Sequence, residues 1–311
     1  MRAHVLLLNF NGSGLLSKNL STFVEATERS SFPCRLSVID NASTDNSKDI
    51  VMSWGGRVGW IPMRENRVLC AYNEVARTLE EGVLIFMNND IGVDPGFVEP
   101  LLRPFLNDPN VFFVTPCCLA ADGVTYEGNK TKGGIRYGVY WSSSRYPGFE
   151  KGVGSLSPTL QGGFGAFDRK KFLELEGYDS LYLPGRLEDA DICFRAYKRG
   201  WKCLYQPDSV VFHEGGVSFH RVFGHRRTLV INWRNTFLFM WKNLSDLTIL
   251  VQFFFWLPWR LLYSFLAARP ELAIGFFEAL PLLPEALRRR ARLRKKGFLR
   301  SVPDRVIFGQ V

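Results

Sequence analysis

Cysteine is sparse and lacks a ligating pattern. The six cysteines, Cys34, Cys70, Cys117, Cys118, Cys193 and Cys203, show no CxxC spacing, which argues against a zinc ribbon or a disulfide framework. Reduced thiols in a cytoplasmic protein are the expectation. No export signal precedes the first apolar strand, which begins near His4. GxGxxG is absent, so a dinucleotide-binding oxidoreductase is disfavoured, and no internal repeat is visible. Net positive charge is also small over most of the chain. Residues 285–311 hold nine Lys/Arg against Glu285 and Asp304, and so carry +7 of the formal +9. That distribution does not suit a nucleic-acid-binding surface and points instead to a local, C-terminal role for the charge.

At 311 residues and 46% hydrophobic composition, the chain can bury one large core or two modest ones. His4–Asn9 reads as a short buried strand, and Asn11-Gly12-Ser13-Gly14 then turns into an amphipathic segment carrying Leu15, Leu16, Leu20 and Phe23. A second strand, Arg35–Asp40, ends in a turn with helix-capping residues, Asn41-Ala42-Ser43-Thr44-Asp45. Gly59–Pro62, a helical stretch around Ala71–Leu79 and the strand Val83–Met87 continue the alternation. This order predicts parallel pairing with right-handed crossovers. Residues 116–158 are rich in Gly, Ser and Tyr and read as irregular or as a small antiparallel portion. Helical periodicity returns at Arg169–Leu175 and Asp189–Arg199, before a strand over Trp201–Gln206 and the segment Val210–His213.

After Thr236 the composition changes. Leu247–Trp259 has no charged residue, but Pro258 and Arg260 interrupt the run before it reaches the roughly 20 apolar residues a spanning helix needs. Residues 245–300 therefore read as membrane-surface helices, with aromatics at the interface and Arg/Lys facing anionic lipid headgroups. The expected organisation is a catalytic domain over 1–240 and a membrane-associating helical region over 241–311.

Polar residues cluster after three successive strands, at the sheet edge where open α/β folds bind ligands. Phe10, just past the first strand, offers a ring to stack on a pyrimidine, and Asp40 could accept the ring N–H of uracil or thymine. Asn88-Asn89-Asp90 follows Leu84-Ile85-Phe86-Met87, so an apolar strand delivers a carboxylate to that edge. Hard oxygen ligands of this kind suit Mg²⁺ or Mn²⁺ bound together with substrate phosphates. Glu188-Asp189-Ala190-Asp191 places three carboxylates at a helix start, where the macrodipole favours them and where one facing a cleft could act as general base. His213, closing an apolar strand ahead of Glu214-Gly215-Gly216, is a candidate further metal ligand.

These stretches together resemble family 2 glycosyltransferases of the GT-A fold, and in particular the rhamnosyltransferases of bacterial cell-surface polysaccharides. The resemblance rests on VLLLNFNG at Val5–Gly12, VIDNASTDNS at Val38–Ser47, LIFMNNDIGVD at Leu84–Asp94 and QGG at Gln161–Gly163. It continues through Gly177-Tyr178-Asp179, EDADICFR at Glu188–Arg195 and Pro207–Gly216 with its His213. The motifs occur in the family's order across about residues 3–240. The resemblance implies an α/β fold with a mostly parallel sheet flanked by helices, followed by the apolar and basic C-terminal segment. It assigns Asp40, Asn66 and Asn88 to the nucleotide along with Phe10, Asp90 and His213 to the metal, and Gln161, Gly162 and Gly163 to the acceptor side. Asp189 becomes the base of an inverting transfer, with Glu188 beside it. Arg234-Asn235 ahead of an apolar segment is also similar to this branch. The sequence departs from the family at Asn88, where the metal motif commonly begins with Asp, and at Val68, where Gly is common.

The function implied is transfer of a sugar from a nucleoside diphosphate, dTDP-rhamnose or a UDP-sugar, to a hydroxyl of a glycan or polyprenyl-linked acceptor. The expected location is the cytoplasmic face of the plasma membrane, bound peripherally to an anionic surface. Two other readings fit less. A nucleotidyltransferase usually bears Lys or Arg in the loop after its first strand, whereas this loop is Asn11-Gly12-Ser13-Gly14. A non-catalytic basic membrane-binding protein would explain the tail but not the polar strand ends.

Overall fold

A computed structural model describes residues 1–160, 163–213, 222–297 and 302–310. The chain forms two compact units. The first comprises Met1–Thr131, Ser144–Tyr178 and Lys202–Gly216, and the second Lys132–Ser143, Asp179–Trp201 and Val217–Val311. The C-terminal helices thus cluster with two upstream segments, and the chain does not divide by a single cut at residue 240.

In the first unit the central sheet starts from β1 (Ala3–Asn9), flanked in parallel register by β2 (Cys34–Asp40) and β4 (Val83–Asn88), with β3 (Gly59–Pro62) outside β2. This is the parallel half the sequence predicts. Beyond β4 the pairing changes. The short β11 (Gly165–Asp168) runs antiparallel between β4 and β6 (Val111–Ala120), and β6 pairs in parallel with β12 (Lys202–His213). The segments read as separate strands, Trp201–Gln206 and Val210–His213, are one strand whose register shifts between Gln206 and Val210. β5 (Ile91–Val93) and β10 (Ser157–Pro158) pair antiparallel with β12, and β7 (Tyr126–Gly128) with β6.

The interior positions of β1 and β4 are buried on both faces, as a covered parallel strand requires. On one face, α1 (Ser13–Arg29) lays Leu16, Leu20, Phe23 and Val24 over Val5, Leu7, Val38 and Ile85. Spacings of four, three and one residues put these side chains on a single helical face. On the other face, Phe86 stacks on Tyr72 of α3 (Ala71–Thr78) at 4.1 Å between ring centroids and meets Phe167 and Phe172. α2 (Ser47–Met52), α4 (Val98–Asn107) and α5 (Arg169–Glu174) complete the unit.

The second unit contains a hairpin, β8 (Lys132–Arg136) with β9 (Val139–Ser143), and six helices among the described residues. These are α6 (Glu188–Lys198), α7 (His225–Asn243), α8 (Leu247–Leu266), α9 (Glu271–Ala279), α10 (Leu283–Lys295) and α11 (Asp304–Gln310). α11 returns to the far end of α6. Asp304 pairs with Lys198 and accepts from the backbone N–H groups of Ser245 and Asp246, at 2.6 and 2.8 Å.

One sequence expectation is corrected in α8. Pro258 and Arg260 do not end the apolar run; the helix continues through both for 20 residues, about 30 Å, long and apolar enough to cross a membrane. Pro258 removes one ladder hydrogen bond and crowds the carbonyl four residues earlier, a local cost that does not end this helix.

Candidate functional site

Side-chain hydrogen bonds join the carboxyl ends of β1, β2 and β4. Asn9 Nδ2 donates to Asp40 Oδ1 (3.1 Å), and Asn89 Nδ2 donates to Asn9 Oδ1 (2.7 Å). Asn19 of α1 in turn donates to the Asn89 carbonyl (3.0 Å). Gly12 is required by this arrangement: a Cβ there would stand 2.1 Å from Asn89 Nδ2. Asp40 is buried. Its Oδ1 accepts from Asn9 and from Ser43 Oγ (2.5 Å), while Oδ2, among the described residues, accepts only the Ser43 N–H (3.0 Å). One lone-pair direction on Oδ2 thus stays open. Phe10, at the same edge, is 49% exposed.

Asn66 Oδ1 accepts the Val68 N–H (2.9 Å), and Asn41 binds the backbone of Arg67 and Val68. Val68 has φ +49°, a left-handed conformation that a β-branched residue enters only at a cost of about 1–3 kcal/mol. The backbone shape therefore persists where a glycine is common in the resembling family.

Asp90 stands one residue before Ile91, and the β5–β12 register sets Ile91 opposite His213. His213 Nε2 consequently lies 3.4 Å from Asp90 Oδ2. The imidazole Nδ1 lies 2.6 Å from Glu127 Oε2 on β7. A carboxylate can only accept, so Nδ1 carries a proton toward Glu127, and Nε2 carries one toward Asp90 until a cation would displace it. Asp90, and behind it Glu127, push the His213 pKa up to about 9 against the opposing effect of burial. Asp90 Oδ1 is enclosed and, among the described residues, has no hydrogen-bond partner. Asn88 precedes these residues at the half-buried end of β4.

An enclosed, unpaired carboxylate oxygen beside an oriented imidazole is costly to maintain empty-handed and fits a divalent cation. Among the described residues no three His, Cys, Asp or Glu side chains form a ready-made cage. Asp90 and His213 are the donors at hand, and a cation held by them would leave other positions to water and phosphate oxygens, as Mg²⁺ and Mn²⁺ favour.

Glu188 and Asp189 open α6 in the second unit. Asp189 is 9% exposed, and its Oδ1 accepts the Ala190 N–H at 2.8 Å. Glu188 Oε2 is enclosed and, among the described residues, without a hydrogen-bond partner. Burial, and then the charge of Asp189, push the Glu188 pKa up to about 8. The third carboxylate behaves differently. Asp191 is fully buried and binds Arg195 (2.7 Å), Lys242 (2.7 Å), Asn243 (2.7 Å) and the Tyr182 hydroxyl (2.7 Å). Burial alone would raise its pKa, but the Arg195 and Lys242 charges hold it well below the usual carboxylate range. Asp191 is thus a structural anchor between α6 and α7.

The loop entering α6 is backbone-strained. Gly185, Arg186 and Leu187 all have positive φ, at +150°, +80° and +72°. One buried side chain holds it: Asn235 Nδ2 lies 2.7, 2.8 and 2.9 Å from the carbonyls of Tyr182, Gly185 and Arg186. Arg234 Nη2 donates to the Leu183 carbonyl at 2.6 Å. The sequence marked Arg234-Asn235 by resemblance without assigning this work. It missed Glu127 altogether, because three-residue β7 lies in a stretch read only as irregular or as a small antiparallel portion, with no strand located in it. Gln161 and Gly162 lie outside the described residues; Gly163 is exposed, with open space where a side chain would stand. Asp40, Asp90 and His213 belong to the first unit, and Glu188 and Asp189 to the second.

Known proteins share this architecture. The chain is 31% identical over 140 residues to polypeptide N-acetylgalactosaminyltransferase 11 of Xenopus tropicalis, covering 42% of this chain and 23% of that protein. It is 30% identical over 149 residues to a putative polypeptide N-acetylgalactosaminyltransferase 10 of Drosophila melanogaster, covering 46% and 23%. The match thus spans under a quarter of either relative. Among solved structures, GalNAc-T7 with UDP, GalNAc and Mn²⁺ superposes with a TM-score of 0.59 at 18% identity, over 79% of this chain and 48% of that one. The mannosyltransferase PcManGT of Pyrobaculum calidifontis, with GDP-Man and Mn²⁺, gives 0.54 at 16% identity, over 99% and 83%. S. aureus TarS gives 0.52 at 14% identity, over 82% and 43%. These likenesses establish the GT-A fold. Residues 5–175, more than half the chain, match the profile of glycosyl transferase family 2. From Val5 in β1 through the Asp90 turn to α5, the chain is a member of that family.

Proposed function

We propose that the chain transfers a sugar from a nucleoside diphosphate, dTDP-rhamnose or a UDP-sugar, to a hydroxyl of a glycan or polyprenyl-linked acceptor. The anomeric configuration inverts, and the reaction takes place at the cytoplasmic face of the plasma membrane. The observation that carries this reading is the enclosed Asp90 Oδ1 beside His213, without a partner among the described residues, at the sheet edge where β1, β2 and β4 end. The Mn²⁺ and nucleotide recorded with GalNAc-T7 and PcManGT support it.

Asp90 and His213 would hold Mg²⁺ or Mn²⁺, which neutralises charge developing on a departing diphosphate. Phe10 stacks on the base, and the open lone pair of Asp40 Oδ2 accepts the ring N–H of uracil or thymine. Asp189 takes the proton of the acceptor hydroxyl. Glu188, held protonated at neutral pH, adds no second negative charge that would disfavour the attacking oxygen. Asn66 and Asn88 border the nucleotide, and Gln161, Gly162 and Gly163 the acceptor.

Thermal unfolding with a panel of UDP-, dTDP- and GDP-sugars tests the donor half of this reading. One donor should stabilise the protein by about 2–3 kcal/mol at 100 times its Kd, only with Mn²⁺ present and not in Asp90→Asn. Stabilisation indifferent to both metal and Asp90 contradicts the assignment.

A further inference from the structure

α8 turns one narrow stripe inward. Ile249, Phe253 and Ser264 are buried, whereas Leu247 (74% exposed), Val251 (60%), Phe254 (68%), Phe255 (63%), Trp259 (60%) and Leu266 (78%) face outward. Isolated exposed apolar residues are ordinary in proteins, but a face this long and this aromatic is not. α9 packs against α8 and leaves Phe277 56% exposed.

The inward stripe is gripped at mid-helix by the turn of the β8–β9 hairpin. Arg260 Nε donates to the Tyr137 carbonyl and Nη2 to the Arg136 carbonyl, each at 2.9 Å. The Tyr137 ring meets Trp256 edge-on at 5.2 Å. Gly138, at φ +70°, lies so close that a Cβ would stand 2.4 Å from the Gln252 carbonyl oxygen. The hairpin therefore covers the helix from Gln252 to Arg260.

This attachment decides between two placements in lipid. Crossing the bilayer would carry Arg260 and the turn backbone into the hydrocarbon, where charge and non-helical backbone are strongly disfavoured. Lying flat keeps both on the protein side and places the exposed aromatics at headgroup depth, where Trp, Tyr and Phe are favoured.

Charge carried by the same unit argues for the kind of surface. Residues 285–311 carry +7, and Arg288, Arg294 and Lys295 of α10 are exposed. Not every basic residue faces solvent, since Arg290 donates from Nη1 to the Trp241 (3.1 Å) and Leu244 (2.5 Å) carbonyls, and Arg289 pairs with Asp179. Covering the face with a second copy would bring a second +7 to the first, whereas an anionic bilayer supplies the complementary sign.

We propose that α8 lies in the plane of an anionic bilayer surface, apolar face down and Arg260 on the protein side, and does not cross it. The inference deepens the lipid-surface part of the function proposed above. Its test needs neither donor nor acceptor, so a failure of transfer leaves it standing.

The full chain is sedimented with vesicles of phosphatidylcholine alone and of phosphatidylcholine with phosphatidylglycerol, and cell membranes containing it are washed with alkaline carbonate. Binding should be stronger to the anionic vesicles and fall at high salt. It should drop about tenfold or more in Phe254→Glu/Phe255→Glu and, separately, in Arg294→Glu/Lys295→Glu. Circular dichroism identifies any variant that fails to fold, and the two pairs are independent of each other. Carbonate should release the wild-type chain. Retention after carbonate, indicating a spanning helix, overturns the proposal. So does vesicle binding that neither pair reduces, or a dimer that Phe254→Glu/Phe255→Glu converts to monomer.

Discussion

Glu188 and Asp191 share one helical turn, yet their surroundings drive them in opposite directions. Asp191 has two cations within 2.7 Å and stays charged, while Glu188 has an enclosed oxygen with no partner among the described residues and stays neutral. The Glu188 carboxyl has a pKa of about 8 when folded, against an ordinary 4.5. Between those values the folded protein keeps a proton the unfolded chain has released, so stability falls as pH rises through that window and levels off above it. Glu188→Gln removes that penalty. Its melting temperature should therefore gain on wild type by several degrees from about pH 5 to about pH 8, each kcal/mol being worth about 2–4 °C. An advantage that shrinks with rising pH contradicts the protonated assignment. Three carboxylates in four residues were plain in the sequence, but their division of labour was not: it depends on Lys242 and Asn243, some fifty positions away.

At the scale of elements, the loop into α6 has no cap of its own and three positive-φ residues in succession. Its geometry is borrowed from α7 through Asn235, which makes Asn235 a positioning residue for Asp189. Asn235→Ala should lower kcat by about 100-fold, the cost of misplacing a reacting group by about 1 Å, with the KM for the sugar nucleotide unchanged. A rise in KM with kcat retained assigns Asn235 elsewhere. Apolar runs with clear turn signals, such as β1, β2 and β4, were legible as strands. β6 was not, because its continuous apolar run contains Pro116 and the irregular region was taken to begin there. α8 was read as interrupted, since composition shows Pro258 and Arg260 but not the Tyr137 and Arg136 carbonyls that receive the guanidinium.

For the whole molecule, the family and the parallel half of its sheet follow from short motifs at strand ends, because each motif residue meets its partner through a strand register. Asp90 and His213 are 123 positions apart and are joined by β5 pairing with β12. Unit boundaries were less legible, since Lys132–Ser143 and Asp179–Trp201 cluster with the C-terminal helices through contacts that leave no compositional mark. The central claim is that Asp90 and Asp189 serve one transfer in different roles. The most direct measurement follows Mn²⁺-dependent release of nucleoside diphosphate, alongside donor binding, in wild type, Asp90→Asn and Asp189→Asn. The account predicts that Asp189→Asn binds donor as wild type does but loses transfer by about 1,000-fold or more, whereas Asp90→Asn loses Mn²⁺-dependent binding itself. Transfer at the wild-type rate in Asp189→Asn, or loss of donor binding in that variant, would contradict it.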